Sequence, residues 1–335
     1  PYPAMPMKTL VWLGAGGCGG CSMSLLTAES PDCLTALAQA GIALVWHPSL
    51  SALSGAELLA TLDAMEAGQQ PLDILCIEGA LLTAFAGQCQ TLGGGEPLVA
   101  RVARLARVAQ CVVAVGGCAA FGGVGAADDA GIGGRGLQFD GDQPGGVLGA
   151  GFIARGGLPV VNIAGCPTHP GWVLDTLALL AAHALPASGL DGLQRPRFYA
   201  DRLVHHGCPR NEFYEFKATA HALGQQGCLI EHLGCRGTQA HADCNIRPWH
   251  GGSSCLKGGF SCIDCTAPDF AAPHRQPLTT PKLAGLPTIL PSDMPKAWFV
   301  ALSALSKSAT PARLRHNAQS DRLDIAPTPP TGKRR

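Results

Sequence analysis

The sequence predicts an α/β domain built on a parallel sheet, followed by a mostly irregular domain whose stability comes from bound metal. Three observations point there. In the first part of the chain, short continuous apolar runs alternate with helical stretches, the pattern of a parallel sheet covered on both faces. Seven of the 15 cysteines lie between positions 208 and 265, where hydrophobic periodicity is weak. A segment of that kind cannot build a core from side chains alone, so metal supplies its folding energy. Charged residues are only 14%, 24 Lys+Arg balance 24 Asp+Glu, and glycine reaches 44 of 335. A neutral chain lacks the basic excess that nucleic acid or an anionic membrane surface demands. Low charge content also suggests that a partner covers part of the exterior.

The elements follow in order. TLVWL at 9–13, ALVWH at 43–47, DILCIE at 73–78, CVVAV at 111–115 and VVNIA at 160–164 are short apolar runs of strand length. The longer stretches between them, 22–40, 55–67, 97–110 and 170–184, are expected to be helices. Residues 186–196 read as a linker, dividing a first domain (8–185) from a cluster-bearing domain (186–270). Beyond lies an extension, 271–335, with 297–305 its expected helix and a flexible end at 328–335. No window approaches the roughly 20 apolar residues of a membrane span. The opening PYPAMPMK lacks the basic start and apolar run of a secretory signal, so a soluble, cytoplasmic protein is expected. In that reducing compartment clustered cysteine reads as metal or iron–sulfur ligation rather than disulfides.

In parallel sheets, sites gather in the loops leaving the strands' carboxyl ends, and Cys18, Cys118 and Cys166 fall there. The stretch from Gly14 to Gly19 formally matches G-x-G-x-x-G, but the next strand ends at His47 with no carboxylate for a ribose. The glycines have another use, since they let backbone approach a bulky inorganic cluster. Cys18 and Cys21 form a C-x-x-C, which alone fits a thioredoxin-like redox pair. With Cys118 and Cys166 they make a complete four-thiolate site. Zinc remains open for such a site, and a zinc-stabilised binding module is the rival class. Ligands scattered over a sheet edge among glycines suit a cubane better.

Cys18-x-x-Cys21, Gly117-Cys118-Ala119, Gly165-Cys166-Pro167 and His205-x-x-Cys208-Pro209-Arg210 together resemble the small subunit of [NiFe] hydrogenases. The match continues through Cys228, Gly234-Cys235-Arg236-Gly237, Cys244, Trp249 and Cys262-x-x-Cys265, and spans roughly residues 9–270. Complex I and its relatives have a subunit with a similar first cluster loop but lack the second set.

The resemblance implies a flavodoxin-like first domain and three iron–sulfur clusters in a row. It also implies a partner large subunit holding the NiFe(CN)2CO site where H2 reacts, so no catalytic acid or base is expected in this chain. Carried over motif by motif, Cys18, Cys21, Cys118 and Cys166 would hold a proximal [4Fe-4S] cluster, with Glu78 near it. His205, Cys208, Cys228 and Cys235 would hold a distal one. Cys228 and Cys235 enclose six residues where five are expected, so a bulge is expected there. Cys244, Cys262 and Cys265 would hold the medial cluster. Relatives with three such thiolates carry [3Fe-4S]; here Cys255 stands at the vacant corner and implies a third [4Fe-4S]. Cys33, Cys76 and Cys111 are expected to be small buried hydrophobes. The cytoplasmic branch of the family includes H2-sensing regulatory enzymes and uptake enzymes. The strand turn from Leu44 to Leu50 resembles that branch as a whole, while Cys21 and the long extension resemble the sensor, which implies pairing of two heterodimers and docking of a histidine kinase.

Overall fold

The computed structural model describes residues 7–126, 131–249, 252–283, 286–291 and 294–321. The chain forms two compact units, one of Pro1–Arg202 with Cys265–Arg275, the other of Leu203–Asp264 with Gln276–Arg335.

The first unit is built on β1 (Lys8–Gly14), β2 (Ile42–Trp46), β3 (Ile74–Glu78), β4 (Cys111–Val115) and β5 (Val161–Ile163). All pair in parallel in the order β2-β1-β3-β4-β5. That is the flavodoxin order, which reverses direction between β1 and β3 and leaves a crevice at the carboxyl ends there. Its longer helices among the described residues are α1 (Gly20–Leu26), α2 (Cys33–Gln39), α3 (Gly55–Glu66), α4 (Leu98–Val108), α5 (Gly116–Phe121) and α6 (Pro170–Ala181). Alternate strand residues serve opposite faces: Val11, Leu13, Leu75, Ile77, Val112 and Ala114 join Leu58, Leu62 and Leu105 of α3 and α4 in one core. Arg101 of α4 is itself buried and reaches Asp63 at 2.6 Å and Glu66 at 2.9 Å, pinning α3 to α4.

The expected single helix over 22–40 is two helices. Ser30–Pro31 interrupts it, because proline has no N–H to donate and pushes the residue before it out of the α region. Asp32 then caps α2, accepting from the backbone of Leu34 and Thr35. Cys33, Cys76 and Cys111 are buried, while Cys89 is exposed. Residues 186–196 belong to the first unit, where Arg195 is buried and paired with Asp191 at 2.8 Å.

In the second unit, turns predominate. Its helices are α7 (Asn211–Glu215), α8 (Lys296–Ala309) and α9 (Ala312–Ala318). Among its described residues the extension therefore holds two helices where one is expected; Pro311 ends the first run and its fixed φ starts the next. Leu314 and Ala318 of α9 pack on Ala218, and Gly227 donates to the Ala318 carbonyl at 2.9 Å. The expected flexible end at 328–335 lies outside the described residues. Among the described residues no helix is long and apolar enough to cross a membrane.

Candidate metal centres

Gly14, Glu78, Val115 and Ile163 stand in one row across the sheet, so four strands end level. The segments that follow carry the cysteines: Cys18 in the loop after β1 and Cys21 in the first turn of α1, Cys118 in α5 after β4, and Cys166 in the loop after β5. Backbone hydrogen bonds lace these loops together. Gly16 and Ala80 exchange two, at 2.9 and 2.8 Å, and Gly117 donates to Gly165 at 3.0 Å. The Ser24 hydroxyl of α1 reaches the Thr168 carbonyl at 2.6 Å.

Glycine makes room for three of the four thiols. A Cβ added at Gly116 would lie 2.7 Å from Cys21 Sγ, one at Gly123 2.5 Å from Cys118 Sγ, and one at Gly20 3.1 Å from Cys18 Sγ. Gly116 also sits at φ +91°, where a side chain is strained in any case. Cys18 and Cys166 are exposed, and Cys21 and Cys118 half-buried. Burial pushes the Cys21 thiol up to about 12, and the nearby Glu78 and Cys166 charges push the same way. Burial and then the neighbouring cysteines also raise Cys118 and Cys166. Each group would resist becoming a thiolate without a cation beside it, and iron is a cation that cysteine thiolates bind.

Glu78, at the end of β3, is buried and accepts four hydrogen bonds. Trp12 Nε1 donates at 3.0 Å, the backbone N–H groups of Cys21 and Ser22 each at 3.0 Å, and the Ser22 hydroxyl makes the fourth, short contact. These two amides belong to the first turn of α1, whose N-cap Gly19 offers no side chain of its own. Behind them His47 Nδ1 accepts from Ser49 N at 3.1 Å, so Nε2 carries the proton and faces Ser22 Oγ at 3.2 Å. Burial lowers the His47 pKa, with Glu78 opposing. His169 is a helix cap, its Nδ1 accepting from Gly171 N at the start of α6.

In the second unit, His205, Cys208, Cys228 and Cys235 line one cavity of about 320 Å³, part of it open to solvent. His206 lies outside it, accepting from Leu203 N. Burial pushes the Cys228 thiol up to about 12, with Cys235 and Cys208 adding to the rise, and raises Cys235 as well. The six-residue span between Cys228 and Cys235 closes as a loop in which Leu233 and Cys235 both donate to the Leu229 carbonyl. Gly234 completes it at φ +64°, against the backbone of Leu278 and Thr279, where no Cβ fits. Arg210 and Tyr214 also line the cavity. Arg210 is buried and holds the Gln225 and Gly227 carbonyls at 2.5 and 2.6 Å. Tyr214 sets its ring 4.3 Å from that of His205, edge to face. The C-P-R triplet pointed to Arg210, whereas nothing in the spacing pointed to Tyr214.

Cys244, Cys255 and Cys262 also belong to the second unit, while Cys265 opens the segment counted with the first. The loops of Cys244 and Cys255 are joined through their neighbours, Ser254 Oγ donating to Asn245 Oδ1 at 2.6 Å. Phe260 N donates to the Cys255 carbonyl at 2.9 Å, and Arg236 N to that of Cys262 at 2.8 Å. Cys255 is exposed and Cys262 buried. Among the described residues no three His, Cys, Asp or Glu side chains gather around a point fit for one metal ion.

Residues 18–180 match the model of the NADH ubiquinone oxidoreductase 20 Kd subunit, and residues 199–277 match that of the C-terminal part of the NiFe/NiFeSe hydrogenase small subunit. The F420 non-reducing hydrogenase II small subunit of Methanosarcina mazei is 33% identical over 290 residues, covering 79% of this chain and 74% of that one. The periplasmic [NiFeSe] hydrogenase small subunit of Desulfomicrobium baculatum is 32% identical over 278 residues, 78% of this chain and 84% of its own. Among solved structures, the Actinobacterial-type NiFe-hydrogenase of Ralstonia eutropha H16 superposes with a TM-score of 0.74 at 29% identity, covering 92% of this chain and 93% of that one. The parallel sheet with cysteines gathered at one end, the cavity of the second unit lined by one histidine and three cysteines, and this similarity over most of both chains agree: the chain belongs to the family of [NiFe] hydrogenase small subunits, the electron-transfer partners of the nickel–iron large subunit.

Proposed function

We propose that this chain holds three [4Fe-4S] clusters and relays electrons from H2 oxidation in the large subunit, as part of a cytoplasmic, H2-sensing regulatory hydrogenase. The observation that carries the relay reading is the gathering of Cys18, Cys21, Cys118 and Cys166 at one sheet end, with glycines whose Cβ atoms would crowd the sulfurs of the first three. In this reading those four residues hold the proximal cluster. His205, Cys208, Cys228 and Cys235 hold the distal cluster, and Cys244, Cys255, Cys262 and Cys265 the medial one. Bound clusters supply one-electron redox chemistry, with potentials set by charge, hydrogen bonds and exposure. The chain's part is to hold thiolates in place, exclude water and tune charge. Glu78 fixes the turn that carries Cys21, and Arg210 brings a buried cation to the distal cavity.

The extension supports the sensor reading. Trp298, Leu302 and Leu305 stand exposed one turn apart on α8, an apolar stripe of the kind that two proteins bury between them. We read it as the surface on which two heterodimers pair and present a site to a histidine kinase. Deleting 280–335 is a poor test, because it would strip Leu314 and Ala318 from Ala218. Trp298→Ser with Leu305→Ser leaves that packing alone. The intact complex should have the mass of a paired heterodimer, and the double variant that of a single one with H2 oxidation retained. A wild-type complex that is a single heterodimer sinks the pairing.

An uptake enzyme is the second reading, favoured by one observation. The Ralstonia eutropha structure leaves fewer residues of this chain uncovered than lie beyond Pro277, so part of the extension is shared with an Actinobacterial-type hydrogenase. Fast, sustained turnover with artificial acceptors and no kinase binding would select this reading.

A further inference from the structure

A second cavity, about 450 Å³ and partly open to solvent, abuts the four-ligand cavity and shares Tyr214, Cys228 and Ile230 with it. Its far wall is the inner face of α8, through Phe299, Ser303 and Lys307. Lys217 lines it too. The Lys217 ammonium sits 3.7 Å from the centroid of the Tyr214 ring and 4.8 Å from that of Phe299, both aromatic faces. Among the described residues no carboxylate lies within ion-pair distance of it. The one carboxylate on this wall, Glu231, is taken by Lys307 at 2.7 Å.

Two further features single out Lys217. Its backbone stands at φ +52°, a conformation that side-chain-bearing residues rarely adopt and that gathers at ligand sites. Burial pulls its pKa down, with the Cys228 sulfur the largest opposing influence. A half-buried cation held in a strained turn thus faces an open cavity with no carboxylate among the described residues within ion-pair distance to compensate its lost hydration.

We infer that this cavity is a binding site for a small organic anion, and that a redox-active one docks there to take electrons from the distal cluster. The inference rests on the relay reading above. Tyr214 and Phe299 supply apolar walls for a flat ligand, and Lys217 meets its sulfonate, carboxylate or phosphate. Cys228 is among the residues that line the cavity, so a bound acceptor lies beside a residue proposed to hold the donor cluster. With a quinone acceptor the balance closes. One H2 yields two protons and two electrons, and the quinone takes up both to become the hydroquinone.

The test uses the anaerobically purified complex of large and small subunits with two acceptors, anthraquinone-2,6-disulfonate and the cationic benzyl viologen. Lys217→Gln should raise the KM for the disulfonate roughly tenfold, the loss expected for one charge-assisted contact. Its kcat/KM with benzyl viologen should hold, and Lys217→Arg should restore much of the disulfonate affinity. Lys307→Gln, at the exposed rim, should act in the same direction but more weakly. Equal losses with both acceptors would mean that Lys217 serves only the cluster's charge, and unchanged disulfonate kinetics that the cavity binds no acceptor; either overturns the inference. If the wild-type complex oxidises H2 with neither acceptor, it is the relay reading that fails.

Discussion

The Glu78 carboxylate accepts the backbone N–H of Cys21 at 3.0 Å, so the end of β3 is fastened to the first turn of α1 at the residue proposed to bind iron. The sheet register makes the contact. Glu78 pairs with Gly14, and seven residues after Gly14 the chain returns as a helix over the β1–β3 crevice. With no side-chain cap on Gly19, the orphan amides of Cys21 and Ser22 depend on this carboxylate.

Glu78→Gln should therefore cost about 2–3 kcal/mol of stability, because an amide presents its NH2 to donors that need an acceptor. The proximal cluster should be lost before the others. Thermal unfolding together with iron content of the purified complex checks both, and an unchanged midpoint would show that α1 is held otherwise.

Gly116→Ala places a methyl 2.7 Å from Cys21 Sγ at a backbone angle of φ +91°. The backbone strain alone is worth roughly 1–2 kcal/mol. The larger effect should be on the metal, with one cluster fewer per chain by iron and sulfide analysis while circular dichroism stays native.

His47 is buried, its pKa is lowered chiefly by burial, and its Nδ1 accepts from Ser49 N. Below an ordinary histidine pKa the unfolded chain binds a proton that the folded chain refuses, so stability falls as pH drops below about 6.5. Unfolding midpoints measured from pH 7.5 downward should show that decline, and His47→Gln should flatten it.

Much of the candidate site was legible in the sequence because loop cysteines after apolar strands carry their own position. Once β1, β4 and β5 are parallel members of a level sheet, Cys18, Cys118 and Cys166 have to meet at one edge. The break at Pro31 was not read, although the residue was visible, because the apolar pattern continues through it into α2. α9 was missed for a different reason. ARLRHNA has little apolar periodicity, and its Leu314 and Ala318 are buried only through tertiary contact with Ala218. Contacts such as Tyr214 on His205 and Lys217 over Tyr214 likewise depend on turns that no local pattern announces.

The most direct measurement is iron and sulfide content with EPR of the anaerobically purified complex, oxidised and then reduced, for the native chain and for Cys255→Ser. Three four-iron clusters predict about twelve iron atoms per small subunit and no [3Fe-4S] signal in the oxidised native sample, with that signal appearing in the variant. A native sample that already shows the [3Fe-4S] signal would remove Cys255 from the medial site. A small subunit that binds no iron even after anaerobic reconstitution would contradict the relay altogether.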